Sequence, residues 1–405
     1  MVKNDVSVAY DILVKVYRDG TYLNLIMKEI ANKRVTKIVY GVLDHHYELN
    51  YIVNYLAPKG IKNNVKPIAL IGAYMVSYMN VPINVVLNEC KQALSSMGKE
   101  AVSGFIIALI KKVANKEYKL PAKSDKNYVE VKYNLPSFLV GMLRKDYPKE
   151  YEDIIFAKEN SNVHIRLNKN TTEKEILDAD PTAEKTLTGY FVRNNKQISL
   201  LNFLGKTTYM SYCSTLIPES IKEGKTVLDA CSAPGGKAVM LAQKGYEVTA
   251  CDIHQHRVDL IRSYAERMNA KLTVYKQDAR VFLKKWEQKF DVVLVDAPCS
   301  GMGVIGKKKD VVFNKTYDDI LELKNLQQEI LSNCAKYVKK GGLLVYSTCT
   351  VFKKENHDNV VEFLEKNQEF SKEVIDLPFD NDGEIQFLPD GKGMEGFYLC
   401  HLRKN

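Results

Sequence analysis

Two cysteines stand where a thiol can do chemistry. Asp296-Ala297-Pro298-Cys299 closes the apolar run Val292-Val293-Leu294-Val295, and Tyr346-Ser347-Thr348-Cys349 closes Leu343-Leu344-Val345. Short apolar runs of this kind read as buried strands of a parallel sheet, whose carboxyl ends are where ligands sit. One strand-end cysteine is usually an inert small hydrophobe. Two on neighbouring strand tips suggest covalent chemistry, for which one thiol, with an ordinary pKa of about 8.5, must be activated to a thiolate.

The partner such thiols need is set by a third stretch, Thr226-Val227-Leu228-Asp229-Ala230-Cys231-Ser232-Ala233-Pro234-Gly235-Gly236-Lys237. An apolar run, an acid, a proline-glycine-glycine turn and then a helical pattern describe a strand-to-helix corner. Its glycines admit close backbone approach, and the N–H groups opening the helix favour a carboxylate or phosphate. A phosphate-binding P-loop is excluded, because Cys231 stands at its first glycine and Ala238 at its hydroxyl position. The Gly-x-Gly-x-x-Gly dinucleotide fingerprint is also missing. S-adenosylmethionine remains, its carboxylate suiting the glycine turn and its ribose an acid at the next strand end. Asp252, 17 residues past Gly235, is that acid, and Asp278 at the third strand end is expected on the adenine side. Each aspartate alone reads as readily as a helix cap or turn former. Asp229, Asp252, Asp278, Asp296 with Cys299, and Cys349, delivered by five strands to one rim, are harder to read that way.

These strands need a scaffold, and the chain supplies one in three parts. From Thr226 onward, strand candidates (226–229, 248–252, 272–275, 291–296, 343–347) alternate with helical patterns, as in a parallel sheet covered on both faces. Gly341-Gly342 is read as the turn into the last of them, and the runs 372–377 and 396–402 as an antiparallel edge pair. Residues 5–115 read as helices over 6–17, 22–32, 36–56, 66–78, 82–95 and 100–115, with apolar residues at helical spacing. Lysine-rich 116–132 reads as a linker, and 133–225, with a strand at His164-Ile165-Arg166-Leu167-Asn168, as a small α+β module. The expected domains are 1–128 (all-α), 129–220 (small α+β) and 221–405 (α/β).

Charge separates the parts as well. The chain of 405 residues carries a net charge of +9, and residues 1–140 hold 19 Lys+Arg against 11 Asp+Glu. A basic helical domain points to a polyanion such as RNA, since lysines that neutralise phosphates release condensed counterions. A solvated lysine-rich surface is the plainer alternative. None of the eight cysteines forms a Cys-x-x-Cys pair, so no zinc knuckle or other metal site is expected. Free cysteines, no apolar stretch long enough for a bilayer and no leader together lead us to expect a cytoplasmic protein without membrane attachment.

The motif set resembles a known family. Asp229-x-Cys231-x-Ala-Pro-Gly-Gly-Lys237, Asp296-Ala-Pro-Cys299-Ser-Gly-x-Gly, Ser347-Thr-Cys349, Arg166-x-Asn168 and Glu395-Gly396-Phe397-Tyr398 are similar to those of bacterial 16S rRNA cytosine-C5 methyltransferases of the RsmB/Fmu (Sun) type. The amino-terminal residues Asp19-Gly20-Thr21-Tyr22, Val39-Tyr40-Gly41, Leu70-Ile71-Gly72 and Val81-Pro82 resemble a NusB-like RNA-binding domain. The resemblance implies a NusB-like domain, a connecting module and a class I Rossmann-like methyltransferase domain with a mostly parallel seven-stranded sheet. It implies that Cys231, Ser232, Ala233, Pro234, Gly235, Gly236, Lys237, Asp252, Asp278 and Asp296 bind S-adenosylmethionine. It makes Cys349 the nucleophile, Cys299 the group that assists elimination, Asp296 a hydrogen-bond partner of the base, and Arg166 and Asn168 contacts to RNA.

The expected partner is 16S rRNA, free or in an early small-subunit particle, and the expected state a monomer. The pattern departs from the family at Ser232, Ala238, Met210-Ser211 and Lys309. Two other readings stay open: a tRNA cytosine methyltransferase, and a non-catalytic RNA-binding antitermination factor built on the helical domain.

Overall fold

The computed structural model describes residues 3–19, 23–27, 30–157, 162–305 and 315–405. They form two compact units, Met1–Pro148 and Lys149–Gly306 with Thr316–Asn405.

The first unit is all helical. Helix Lys66–Tyr78 is buried along most of its length because helices Asp5–Asp19, Lys33–Asp44, His46–Leu56, Ile83–Ser96 and Ser103–Ala114 all pack on it. Two glycines make this packing close. A Cβ on Gly41 would lie 1.9 Å from the Tyr74 ring, and one on Gly72 would lie 2.3 Å from Ile110. The expected helix over 36–56 is two helices, broken at His45, whose backbone leaves helical geometry and caps the first. The expected linker 116–132 runs into helix Tyr128–Tyr133, and this with helix Ser137–Asp146 groups with the amino-terminal unit. Gly20, Thr21 and Tyr22 of the amino-terminal motif lie outside the described residues, as do Lys309 and its neighbours 306–314.

The second unit holds two sheets. In the small one, β1 (Val163–Leu167) lies between β3 (Tyr190–Val192) and β4 (Thr207–Tyr209), and β2 (Glu184–Lys185) pairs with β3, all antiparallel. The large sheet has β5 (Thr226–Asp229), β6 (Glu247–Asp252), β7 (Thr273–Lys276), β8 (Phe290–Asp296), β9 (Val338–Thr348), β10 (Phe370–Lys372), β11 (Glu384–Phe387) and β12 (Phe397–Lys404). Its order is β10-β12-β9-β8-β5-β6-β7, with β11 also on β12, and β9 through β7 are parallel.

Alternation along the strands fills both faces. Leu228, Val293, Val295, Leu344 and Tyr346 point to one core, and Val227, Val292, Leu294, Leu343 and Val345 to the other. From β5 the chain winds outward through β6 and β7, then returns to β8 on the other side. This reversal leaves a crevice at the carboxyl ends of β5 and β8, the place where such sheets bind ligands.

Three expectations are corrected. Gly341 and Gly342 lie inside β9 as an irregularity of its pairing with β8, Gly341 at φ +74°, and do not precede the strand. Of the expected strand 372–377 only Lys372 is extended and paired, at the end of β10. The large sheet has eight strands where seven were expected, the addition being β11, because Glu384-Ile385-Gln386-Phe387 is too short to stand out in the sequence.

Candidate active site

The β8 and β9 tips meet in register. Asp296 is the Cα partner of Ser347, whose hydroxyl donates to Asp296 Oδ1 at 2.8 Å. Asp296 Oδ2 accepts from Lys237 Nζ at 2.6 Å, and Lys237 itself is nearly buried, its ammonium 5.6 Å from the Phe397 ring centre. Lys237 thus ties the helix after β5 to the tip of β8. Just beyond, Cys299 Sγ and Cys349 Sγ lie 3.2 Å apart as free thiols, and the Cys349 amide donates to Cys299 Sγ at 3.3 Å.

Backbone bonds fix the turns that carry the thiols, Ala297 N to Ser347 O at 2.9 Å and Gly303 N to Cys349 O at 3.0 Å. The Cys299 thiol is pushed well above its ordinary pKa, first by its hydrogen bond with Cys349, then by burial, and then by the negative charges of Cys349 and Glu355. Behind the turns is a buried polar layer. Glu355, wholly buried, accepts from Ser300 N at 2.9 Å and from Gln327 Nε2 at 3.0 Å, and Gln327 also donates to Pro298 O at 2.9 Å.

The glycine corner is built as its sequence requires. Gly235 sits at φ +107° where it caps helix Gly236–Lys244 and gives the helix's opening N–H groups no side-chain hydrogen bond. A Cβ on Gly236 would touch Met210 Sδ at 3.4 Å, so the departure Met210 packs against the corner.

Asp229, at the β5 tip, is completely buried, and its carboxylate oxygens and the Ser232 hydroxyl find no partner within good hydrogen-bond geometry. Burial first, and the Asp296 charge second, push its carboxyl up to about 7, against weaker pulls from Ser232 and Lys237. Burial likewise pushes the Cys231 thiol far up. Asp252 closes β6 nearly buried, accepting the His254 N–H at 2.9 Å with Arg257 3.9 Å away. A buried carboxylate without a partner beside an uncapped helix start fits the ammonium and carboxylate of the methionine end of S-adenosylmethionine, and Asp252 one strand further fits its ribose. Asp278 is engaged by the Arg280 guanidinium at 2.7 Å and lies two residues past β7.

The expected RNA contacts Arg166 and Asn168 are engaged within the second unit. Arg166 is only 6% exposed and donates to Gln243 Oε1 at 2.5 Å, within the second unit. Asn168 donates to Gly205 O at 2.9 Å and Met268 O at 3.1 Å and accepts from Gln243 Nε2 at 2.7 Å. Both therefore tie β1 to the helices that cover the large sheet, Arg166 buried and Asn168 part-exposed; strand alternation alone does not reveal that β1 has a covered side. Sequence reasoning passed over Ser347, although it lay in a quoted motif. It also missed Gln327 and Glu355, which carry no local signal because their partners are 28 and 55 residues away. Among the described residues no group of three His, Cys, Asp or Glu could hold a metal ion, and no helix is long and apolar enough to cross a membrane.

A mostly parallel sheet with a glycine turn after its first strand and acids on successive tips defines an S-adenosylmethionine-dependent methyltransferase. The comparisons agree. Residues 216–403 match the model of the 16S rRNA methyltransferase RsmB/F family and residues 7–115 that of the NusB family. The second unit thus carries an RsmB/F-type methyltransferase domain, and a NusB domain precedes it in the chain.

It is 28% identical to a probable ribosomal RNA small subunit methyltransferase B of Bacillus subtilis, over 98% of each chain. It is also 28% identical to the ribosomal RNA small subunit methyltransferase B of Shigella boydii, again over 98% of each. Among solved structures it shares the fold of PH0851 (TM-score 0.85, 23% identity, all of both chains). NSun6 from Pyrococcus horikoshii, crystallised with SFG, covers 66% of this chain and 98% of its own (TM-score 0.56, 18% identity).

Proposed function

We propose that this protein transfers a methyl group from S-adenosylmethionine to carbon 5 of a cytosine in small-subunit (16S) rRNA, through a covalent bond between Cys349 and the base. The observation that carries the reading is the 3.2 Å approach of Cys299 and Cys349 beside the Lys237–Asp296 pair. Bound at the glycine corner, S-adenosylmethionine supplies an electrophilic methyl group.

Carbon 5 of cytosine is a poor nucleophile, and the thiols answer that. The Cys349 thiolate adds to carbon 6, forming the S–C bond and pushing the C5=C6 electron pair onto carbon 5, which then has the character of an enamine. Asp296, held between Ser347 and Lys237, accepts a hydrogen bond from the exocyclic amino group of the base, and the Lys237 ammonium opposes the negative charge that develops on the adjacent ring nitrogen. Once carbon 5 carries the methyl group, its proton passes to Cys299 as thiolate, the thiol proton having left to solvent. The C–H pair restores C5=C6 while the C6–S bond breaks and Cys349 leaves as thiolate. Cys299 suits the later role because its sulfur lies 3.2 Å from the one that holds the base.

The target base must be unpaired or flipped out, at a cost of about a few kcal/mol, which favours loops of a structured RNA. The basic helical unit supports a polyanionic substrate. The test is methyl incorporation from labelled S-adenosylmethionine into undermethylated 30S rRNA. The reading requires incorporation that Cys349→Ala abolishes; incorporation only into tRNA would move the substrate, and none into any RNA would reject the activity.

A further inference from the structure

We propose that Glu355 is a positioning residue of this site, holding the Pro298-Cys299-Ser300 turn from its buried side so that Cys299 can release the protein from its RNA adduct. The proposal rests on the roles given above to Cys299 and Cys349.

The turn that carries Cys299 is gripped on both sides of the thiol. Ser300 N donates to Glu355 Oε2, while Gln327 Nε2 spans Pro298 O and the same carboxylate oxygen. Ser300 Oγ and Thr350 Oγ1 lie 2.8 Å apart, so the grip extends to the turn that carries Cys349. Glu355 is itself fixed, since its carbonyl accepts the Tyr346 hydroxyl at 2.7 Å and Tyr346 in turn accepts from Asn359 Nδ2 at 3.0 Å. A wholly buried carboxylate is costly, and apolar packing would hold a turn as well. What only an acid provides is negative charge on the closed side of Cys299.

The groups that bear on the Cys299 sulfur are Cys349, Glu355 and the Tyr346 phenol, with the Lys237–Asp296 pair at the strand tip before it. The Glu355 charge makes that sulfur hold a proton more strongly. In the resting site this leaves the attack to Cys349. Once Cys349 is bonded to carbon 6, the same charge makes the Cys299 thiolate a stronger acceptor for the carbon 5 proton. Glu355 thus acts through Cys299 and touches no substrate.

The experiment uses the full chain. Glu355→Gln keeps the shape of the side chain and removes its charge, and Thr350→Val removes the link to Ser300 while leaving the charge. Alkylation of each cysteine by iodoacetamide is followed against pH by peptide mass spectrometry, and the RNA adduct by denaturing gel in single turnover. In Glu355→Gln the Cys299 profile should move down by about one pH unit. The adduct should form within about twofold of the parent rate and, compared at equal Cys299 thiolate fraction, decay about threefold more slowly. Thr350→Val should leave the alkylation profile in place, which separates charge from loosened packing.

A folded Glu355→Gln protein with the parent profile and parent adduct decay overturns the proposal. Should that variant not fold, Gln327→Met carries the test, and unchanged adduct decay there overturns it equally. A Cys349→Ala protein that still forms the adduct would instead reject the assigned cysteine roles, while the alkylation shift would survive.

Discussion

Lys237 Nζ donates to Asp296 Oδ2 at 2.6 Å, joining the helix that opens the glycine corner to the strand tip that precedes Cys299. Residues 59 apart in sequence thereby become one unit, with the methyl-donor corner at one end and the thiols at the other. Because Ser347 holds the second oxygen of Asp296, the carboxylate is aimed before any substrate arrives.

Asp296→Asn should therefore lower kcat by about 10²- to 10³-fold, the loss typical of an oriented charge in a water-poor site. Thermal stability should fall as well, because the nearly buried Lys237 ammonium loses its counter-charge. Single-turnover methylation with saturating S-adenosylmethionine measures this, and a kcat within threefold of the parent would remove Asp296 from the reaction.

Asp229 gives a pH signature. Its carboxyl is raised from the ordinary 3.8 to about 7, first by burial. A group whose folded pKa is raised favours folding fully below its unfolded value, and that contribution is lost as pH climbs through the folded value. Between pH 4 and about 7 the ligand-free protein should therefore lose stability on the order of a few kcal/mol from this residue. Urea unfolding across that range should show Asp229→Asn losing less than the parent, and the same variant should bind S-adenosylmethionine more weakly at pH 8. Parallel stability curves for variant and parent would contradict the assignment.

Gln243 bonds both Arg166 and Asn168, so its removal should be felt in stability and not in RNA binding. Gln243→Leu leaves a buried guanidinium short of a partner and should cost about 1–3 kcal/mol, read by urea unfolding. Arg166→Met should leave the slope of log K against log salt unchanged, whereas a lost phosphate contact lowers it by about 0.7–0.9. A slope reduced by that amount would return Arg166 to the RNA-binding surface.

How far the sequence spoke differs from place to place. The strand Thr226–Asp229 is legible to the residue, because an apolar run between a lysine-rich turn and Pro-Gly-Gly has one reasonable reading. So is helix Lys66–Tyr78, bounded by a charged loop and Asn80-Val81-Pro82. The break at His45 is not, since apolar periodicity continues across it and only backbone geometry records the interruption. The strand tips and their cysteines follow from local pattern, whereas the distance between the two sulfurs depends on β8 and β9 being neighbours. The burial of Arg166 depends likewise on Gln243, which lies 77 residues away. Long-range partnership of polar residues has no sequence period, and it is there that Glu355, Gln327 and Ser347 were passed over.

The division of labour between the two thiols is measured most directly by mapping the RNA-linked peptide. Cys299→Ala protein, incubated with undermethylated rRNA and S-adenosylmethionine, should accumulate a slow-migrating adduct whose nucleotide-bearing peptide contains Cys349, and Cys349→Ala should give none. A nucleotide found on Cys299 in the Cys349→Ala protein, with no adduct in Cys299→Ala, would contradict the account.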